Sequence, residues 1–443
     1  MTQPAAAVTL GVISGLLVGI AARRRIAWLG FVSLMPLAAA TYALAPPFAG
    51  FAAALAGAVM TAAIVLGVFP FMRAFEYGNI AGAALCWGFF MGIAAWVWPS
   101  DAPAWGLLIF PAATVAASLV PDLLISRQAV PLLRTQERAL TIAHVGRLGH
   151  ELMVVALLAI VGSLPIALLG EWPPSTSSLT ALTAALAVVA AALIFGASSY
   201  GINLKHQKSW PSLRVAAIAV DPPPRIGGMF DPMSLEELAA VLARYEPRVA
   251  EASSKGARLI VLPEMAVVVT TKDVEHWLDR LSEWAERAQS IIIANYFDAD
   301  RRRNLLVIVD TSGKVVATYD KQHPVPGIEP KPPMKMPPAY HRDAVPVSGV
   351  TCYDLDFMTW VREVSKRGGI LAVPANDWQE VADLHHGVTV WAAILGGVPV
   401  VRATTHGISS IFDAAGRAVG RASSFDGPVV LVADVPVIAR ARV

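Results

Sequence analysis

Hydrophobic and polar positions divide this chain into two unlike halves. Through the first 200 residues apolar runs recur, each near the roughly 20 residues that a helix needs to cross a bilayer. Spans are expected at 5–22, 26–45, 48–70, 79–98, 104–125, 151–169 and 179–200. Pro46-Pro47, Pro99 and Pro173-Pro174 punctuate them, as helix breakers do. Trp87, Trp96, Trp98, Trp105 and Trp172 fall near span ends, where an aromatic belt is expected. After the polar stretch Lys205–Trp210 the period changes. Short β-branched runs appear at Val215–Val220, Leu259–Leu262, Ile291–Ala294, Leu305–Val309, Val315–Tyr319, Ile370–Val373, Val398–Val401, Ile408–Phe412 and Val429–Val432. Amphipathic stretches near 234–254, 273–288, 356–367 and 384–396 alternate with several of them. Near-continuous apolar strands among helices predict sheets covered by helices. The expected organisation is a helical membrane bundle over 1–204, a linker over 205–212 and an α/β domain over 213–443.

Charge sharpens this division. Of 443 residues, 55% are apolar and only 15% charged. The first 200 positions hold 14 of the 68 charged residues, and the first Lys is Lys205. A wholly soluble enzyme, a disordered chain and a disulfide scaffold are excluded. The net charge of +2, with no nucleic-acid motif, gives no polyanionic partner. Arg23-Arg24-Arg25, Arg73, and the group Arg127, Arg134, Arg138 and Arg147 follow the first, third and fifth spans. The positive-inside rule places those loops in the cytoplasm, and seven spans then place the polar half there too. One re-entrant segment reverses that result, and 104–125, with Pro111 and Pro121, is the candidate. The stretch 127–147 also reads as an amphipathic piece on the membrane surface. Asp122, His150 and Glu151 sit near span ends rather than at midplane, which weighs against a transport path.

Three segments of the polar half carry candidate chemistry. Leu262-Pro263-Glu264 follows a strand, where a buried carboxylate suits general-base work and where a turn cap is the plainer alternative. Asp320-Lys321 ends another strand. There a lysine stabilises developing negative charge or is simply solvated. Cys352, in Gly349-Val350-Thr351-Cys352-Tyr353-Asp354, sits between a short apolar run and an expected helix. Such a turn predicts an exposed thiol with a lowered pKa; a buried, inert cysteine is the other reading. No zinc-ligand spacing and no phosphate loop is present in the sequence.

Taken together, Leu262-Pro263-Glu264, Asp320-Lys321 and Cys352-Tyr353-Asp354 resemble the glutamate, lysine and cysteine motifs of the carbon–nitrogen hydrolase (nitrilase) superfamily. The resemblance covers about 213–435 and implies a four-layer αββα sandwich with Glu264, Lys321 and Cys352 as the catalytic triad. The membrane bundle ahead of it resembles the branch of apolipoprotein N-acyltransferases. Finer matches are Asn304-Leu305-Leu306, Val325-Pro326 followed by Glu329, Asn376-Asp377-Trp378 and Arg402-Ala403-Thr404. Departures are Asp354 and Thr405, where the family has Glu and Asn, and the lack of a further span between the last strand and Val443. The nitrilase-like TraB proteins of conjugative plasmids have a similar layout. The resemblance implies supporting roles for Glu329, Tyr353, Asp354, Asn376 and Arg402, and no metal or organic cofactor. It implies a phospholipid acyl donor, a lipoprotein or other amine acceptor, and a bacterial inner-membrane protein whose catalytic domain lies outside the cytoplasm. A membrane-anchored amidase and a non-catalytic assembly factor are the alternatives.

Overall fold

The computed structural model describes the chain except residues 1, 69–72, 125–130, 170–172, 221–227, 326–328, 330–336, 338, 343–344, 368 and 439–443, and except the side chains of 120–124, 169, 341–342 and 345. Trp172, Arg127, Pro326 and the Asp122 side chain thus lie outside the described residues. Residues 1–202 and 203–443 form two compact units.

The first unit is all helix. Its long elements are α1 (Gln3–Arg24), α2 (Ala27–Val32), α3 (Met35–Ala43), α4 (Pro46–Val65), α5 (Arg73–Val97) and α6 (Gly106–Leu124). The short α7 (Pro131–Arg134) and α8 (Leu140–Ala143) precede α9 (Leu152–Leu169) and α10 (Thr176–Gln207). Among the described residues four helices, α1, α4, α5 and α10, are long and apolar enough to cross a membrane. Residues 140–148 and α9, bent by 111°, would make a fifth if counted as one span. The expected span 26–45 is divided into α2 and α3. Pro36, in the first turn of α3, has no N–H to continue a helix from before it. Residues 132–137, expected on the membrane surface, are instead buried, and Glu137 accepts from Arg25 at 2.7 Å. Trp96 and Trp105 are exposed as belt residues should be, whereas Trp87 and Trp98 are buried among the helices.

Small residues let these helices approach closely. In α1, Gly11, Gly15 and Gly19 recur every four residues and face α4. A methyl group on Gly11 would stand 2.3 Å from the Ala52 carbonyl oxygen, and one on Gly15 would stand 2.7 Å from the Val59 side chain. This is the small-residue spacing by which apolar helices associate in lipid, where burial from water gives no driving force.

The second unit holds two sheets. The strands are β1 (Ser212–Ala219), β2 (Leu259–Val261), β3 (Val267–Val269), β4 (Ile291–Asp298), β5 (Arg303–Val309), β6 (Val315–Asp320), β7 (Ala339–Arg342), β8 (Val345–Gly349), β9 (Ile370–Asn376), β10 (Val400–Thr405), β11 (Ile408–Phe412), β12 (Ala418–Ser423) and β13 (Val429–Pro436). One sheet runs β13-β1-β2-β4-β5-β6 with β3 beside β4; the other runs β12-β11-β10-β9-β8-β7. The helices are α11 (Leu235–Ser254), α12 (Val274–Ala288), α13 (Met358–Ser365) and α14 (Gln379–Gly396).

Strand periodicity explains the layering. Successive side chains point to opposite faces. In β1, Val215 and Ala217 enter the core between the sheets, while Ala216 and Ile218 face α11 and α12. In β4, Ile291 and Ile293 face inward and Ile292 and Ala294 outward. Both faces are buried, so the runs are apolar throughout. Trp277, Trp284 and Tyr245 seal the outer face of the first sheet, and α14 packs on β10 and β11 of the second. The arrangement is the expected four-layer αββα sandwich. Strand β8 is the short apolar run expected before Cys352, whereas β3, β7 and β12 have no counterpart in the sequence reading. They are short, or as polar as Ala-Tyr-His-Arg in β7.

Gly11→Ala should destabilise the helical unit by about 1–3 kcal/mol, because a rigid backbone oxygen occupies the methyl position. Gly78→Ala, in open space on α5, should be neutral or stabilise by up to about 1 kcal/mol. Thermal melting of the detergent-solubilised protein checks the pair; equal shifts would contradict the close α1–α4 approach.

Candidate active site

Four strand ends deliver the candidate residues. Glu264 follows β2 through Leu262-Pro263. Its backbone N–H bonds the Ala375 carbonyl at 3.2 Å, linking the two sheets. Lys321 is the residue after β6, and its N–H is held by the Asn304 carbonyl at 3.0 Å. Cys352 lies three residues beyond β8, and Asn376 ends β9.

The side chains converge in a buried place. Lys321 Nζ donates to Glu264 Oε1 at 2.9 Å and to Glu329 Oε2 at 2.6 Å. All three are nearly inaccessible to water. Asn304 spends both amide hydrogens on the same carboxylates, at 2.8 Å to Glu264 and 2.6 Å to Glu329. The Asn376 N–H reaches Glu264 Oε2 at 3.1 Å, and the Val325 N–H reaches Glu329 at 3.0 Å. Burial works against the Lys321 charge, but the two carboxylates outweigh it and hold the ammonium well above the usual lysine range. Burial likewise pushes Glu329 up, but Lys321 brings its carboxyl below the ordinary value.

Cys352 corrects the sequence reading. The thiol is buried, only 5% exposed. A five-residue 3₁₀ turn, Cys352–Asp356, begins at the cysteine itself, and the expected helix, α13, starts only after that turn. Burial first, then the charges of Glu264 and Asp377, push the thiol well above its ordinary pKa, and Lys321 only partly opposes them. The thiol is therefore neutral at rest, with the Glu264 charge acting against its ionisation. The cysteine backbone has φ +47°, a left-handed conformation costly for a residue with a Cβ. Thr351 and Asp354 enforce it through a capping box.

Asp354 clamps two segments together. It is wholly buried and accepts from Tyr319 Oη (3.0 Å), the Gln322 N–H (3.1 Å), the His323 N–H and Nδ1 (both 2.8 Å) and the Thr351 N–H (3.0 Å). It thereby joins the turn after Lys321 to the turn that carries the sulfur. His323 stacks on Phe357 at 3.8 Å, and the Tyr353 ring packs edge-on to the same Phe357 at 5.3 Å.

Two further residues occupy other places. Asn376 touches the site through its backbone: its carbonyl lies 3.9 Å from the Cys352 sulfur, while its side-chain oxygen accepts from the Thr405 hydroxyl at 3.0 Å. Arg402 is fully buried but bonds Asp377, not the triad. The sequence reading passed over Asn295 and assigned no role to Asp377 or His385. Asn295 bridges Asn304 and the Met265 N–H at 2.7 Å each; a polar residue inside Ile-Ile-Ile-Ala-Asn-Tyr-Phe was its only signal. Cys352, Asp377 and His385 have donor atoms within 4.8 Å of one another, a spacing that a metal ion can use. Arg402 already bonds both Asp377 oxygens at 2.9 Å, and a dication would stand beside that guanidinium.

Residues 214–442 match the carbon-nitrogen hydrolase family, and the chain belongs to it. Among solved structures, the NitN amidase of Nesterenkonia sp. AN1 is similar to 51% of this chain over 93% of its own, at 21% identity and TM-score 0.45. A variant of the amidase from that organism in complex with butyramide is similar over 51% and 91%, at 20% identity and TM-score 0.45. No curated protein matches the chain.

Asp354→Ala would strand five donors, three of them buried. It should cost about 3–5 kcal/mol of stability, read as a lower melting point of the whole protein. A loss under 1 kcal/mol would mean that the two turns hold together without the clamp.

Proposed function

We propose that the chain is a membrane-bound acyl-transfer enzyme in which Cys352 is the nucleophile, Glu264 the general base and Lys321 the oxyanion donor. The observation that carries this reading is the buried Glu264–Lys321 ion pair, both of whose charges act on a neutral, buried Cys352 thiol. A thiol with a raised pKa needs a base at hand, and Glu264 is that base. It takes the thiol proton as the sulfur attacks a carbonyl carbon. The tetrahedral oxyanion is stabilised by the Lys321 ammonium and by a backbone N–H near Tyr353. Collapse breaks the bond to the leaving group, which takes the proton from Glu264 and departs, leaving a thioester on Cys352. An acceptor then attacks the thioester and gives its proton to Glu264. Collapse re-forms the thiol. Glu329 holds Lys321 between two carboxylates throughout.

The acyl donor proposed is a membrane phospholipid, and the acceptor the amine of a lipoprotein. The long apolar helices on the same chain support a lipid donor. A hydrolase of amides, with water as acceptor, is the second reading, favoured by the family that residues 214–442 match. On the first reading the catalytic domain lies outside the cytoplasm, where mature lipoproteins are made.

Incubating the purified protein with phospholipid, followed by mass spectrometry of Cys352, tests the donor. An acyl adduct released by hydroxylamine is expected; its absence with every phospholipid, together with turnover of a simple amide, selects the hydrolase. Cys352→Ala should reduce turnover to background without loss of folding, and Cys352→Ser should be nearly as inactive. Residual turnover above background in Cys352→Ala would remove the covalent mechanism. Lys321→Met should lower kcat by roughly 10²–10³; a raised KM with unchanged kcat would make Lys321 a ground-state binding residue. A reporter fused after Val443 tests sidedness, since alkaline phosphatase is active only outside the cytoplasm. A fluorescent fusion with no phosphatase activity would rule out lipoprotein acylation.

A further inference from the structure

A second buried ionic group lies behind the sulfur, and the mechanism above does not use it. Asp377, the first residue after β9, accepts from Arg402 Nη2 with both oxygens at 2.9 Å and pairs with His385 Nδ1 at 2.7 Å. The other nitrogen of His385 lies 3.1 Å from Asp356, in the turn that Cys352 opens. Arg402 is anchored besides by the Ile408 carbonyl at 3.1 Å. All four side chains are at most 5% exposed. They come from four separate elements: the 3₁₀ turn, the end of β9, α14 and β10.

Charge counting assigns the group a protonation state. Two carboxylates and one guanidinium leave a net negative charge unless His385 also carries a proton. Burial opposes that proton, but Asp377 and Asp356, one at each ring nitrogen, raise the imidazole pKa to about 9. Position then gives the charge its consequence. The Cys352 sulfur, an Asp377 oxygen and a His385 nitrogen lie within 4.8 Å of one another. Asp377 acts against ionisation of the thiol. It also follows Asn376, whose N–H holds Glu264 and whose carbonyl faces the sulfur. The groups acting on His385 are Asp377, Asp356 and Arg402; those acting on the thiol are Glu264, Lys321 and Asp377.

We propose that Asp356, Asp377, His385 and Arg402 are a positioning network for the nucleophile, in which the His385 imidazolium cancels the Asp377 charge beside Cys352 and holds the Asn376–Asp377 backbone against both base and thiol. The proposal rests on Cys352 being the reactive group. It makes His385 a residue whose charge, and not only its shape, sets how readily the thiol ionises.

The test is the rate of Cys352 alkylation by iodoacetamide across pH, in the full-length protein on a Cys86→Ser background. This readout needs no substrate, so it stays informative if the acyl donor is something other than a phospholipid. His385→Gln leaves the group with one negative charge in excess, since Arg402 alone then faces two carboxylates, and should slow alkylation at pH 7.5 about tenfold, equivalent to one unit of thiol pKa. The double variant Asp377→Asn/His385→Gln removes both charges and should recover most of that loss. An unchanged rate in His385→Gln, or an equal or deeper loss in the double variant, overturns the charge role. The wild-type profile supplies a check that needs no variant. Its rise with pH should flatten near pH 9, where His385 gives up its proton and the thiol becomes harder to ionise. A rise of tenfold per pH unit straight through that range would also overturn the proposal.

Discussion

The Lys321 ammonium, buried between Glu264 and Glu329, is the contact on which the site depends. A buried ammonium is stable only when paired, and a buried carboxylate has the same need. Here two acids share one cation. The surplus negative charge is met by hydrogen bonds from the Asn304 amide and from the backbone of Val325 and Asn376. That surplus also acts on the sulfur. Beside a carboxylate and out of water, Cys352 stays a thiol. The resting site therefore holds a carboxylate, a protonated thiol and an ammonium together, the three groups that the proposed mechanism requires.

Sheet geometry makes this convergence reproducible. β2 and β9 run in different sheets, yet the Glu264 N–H bonds the Ala375 carbonyl across the sandwich. The edge where β2, β6 and β9 finish is thus stitched by main-chain contact, and side chains leaving those strands meet. Asp354 adds the remaining constraint by fixing the Lys321 turn to the Cys352 turn. The shorter acid is the residue that closes the capping box with Thr351 while still reaching His323. The left-handed cysteine backbone persists because both of its flanks are held.

Much of this architecture could be read from residue order alone. The runs at 215–220, 259–262 and 291–294 became β1, β2 and β4 because apolar residues on both faces require cover on both faces. The amphipathic stretch 273–288 became α12 with Trp277 and Trp284 inward. The nitrilase-type domain was legible through three ordered motifs. Environment was not. Cys352 looked like an exposed turn thiol because its burial depends on Asp377 and the sheet ends, which come together only in the fold. The roles of Asn295, Asp377 and His385 were not legible, since their contacts join residues 8 to 56 positions apart. The helical unit shows the same limit. Apolar length marked every segment, but Pro36 divided one of them, and pairing with Arg25 drew Glu137 inward.

The two units use charge in opposite ways. In residues 1–202, the described charged side chains lie at helix ends or between helices, none in the middle of a long helix. Arg25 pairs with Glu137, Arg73 with Glu76 in the first turn of α5, and Glu151 precedes α9 beside His150. Such placement satisfies charges where a span meets water and offers no polar path through its centre. In residues 203–443, by contrast, charged side chains are taken deep into the interior, and two groups of them surround the sulfur: Glu264, Lys321 and Glu329 form one, and Asp356, Asp377, His385 and Arg402 the other. Both groups reach the same sulfur, and the Asn376–Asp377 peptide joins them, its N–H on Glu264 and its following carboxylate on His385. Burying seven ionisable groups is costly unless each is paired. Packing alone would be served as well by apolar residues of the same volume. The pairing of so many buried charges around one sulfur is what the proposed chemistry at Cys352 would require, and a lipid donor would give the apolar helices of the same chain their use.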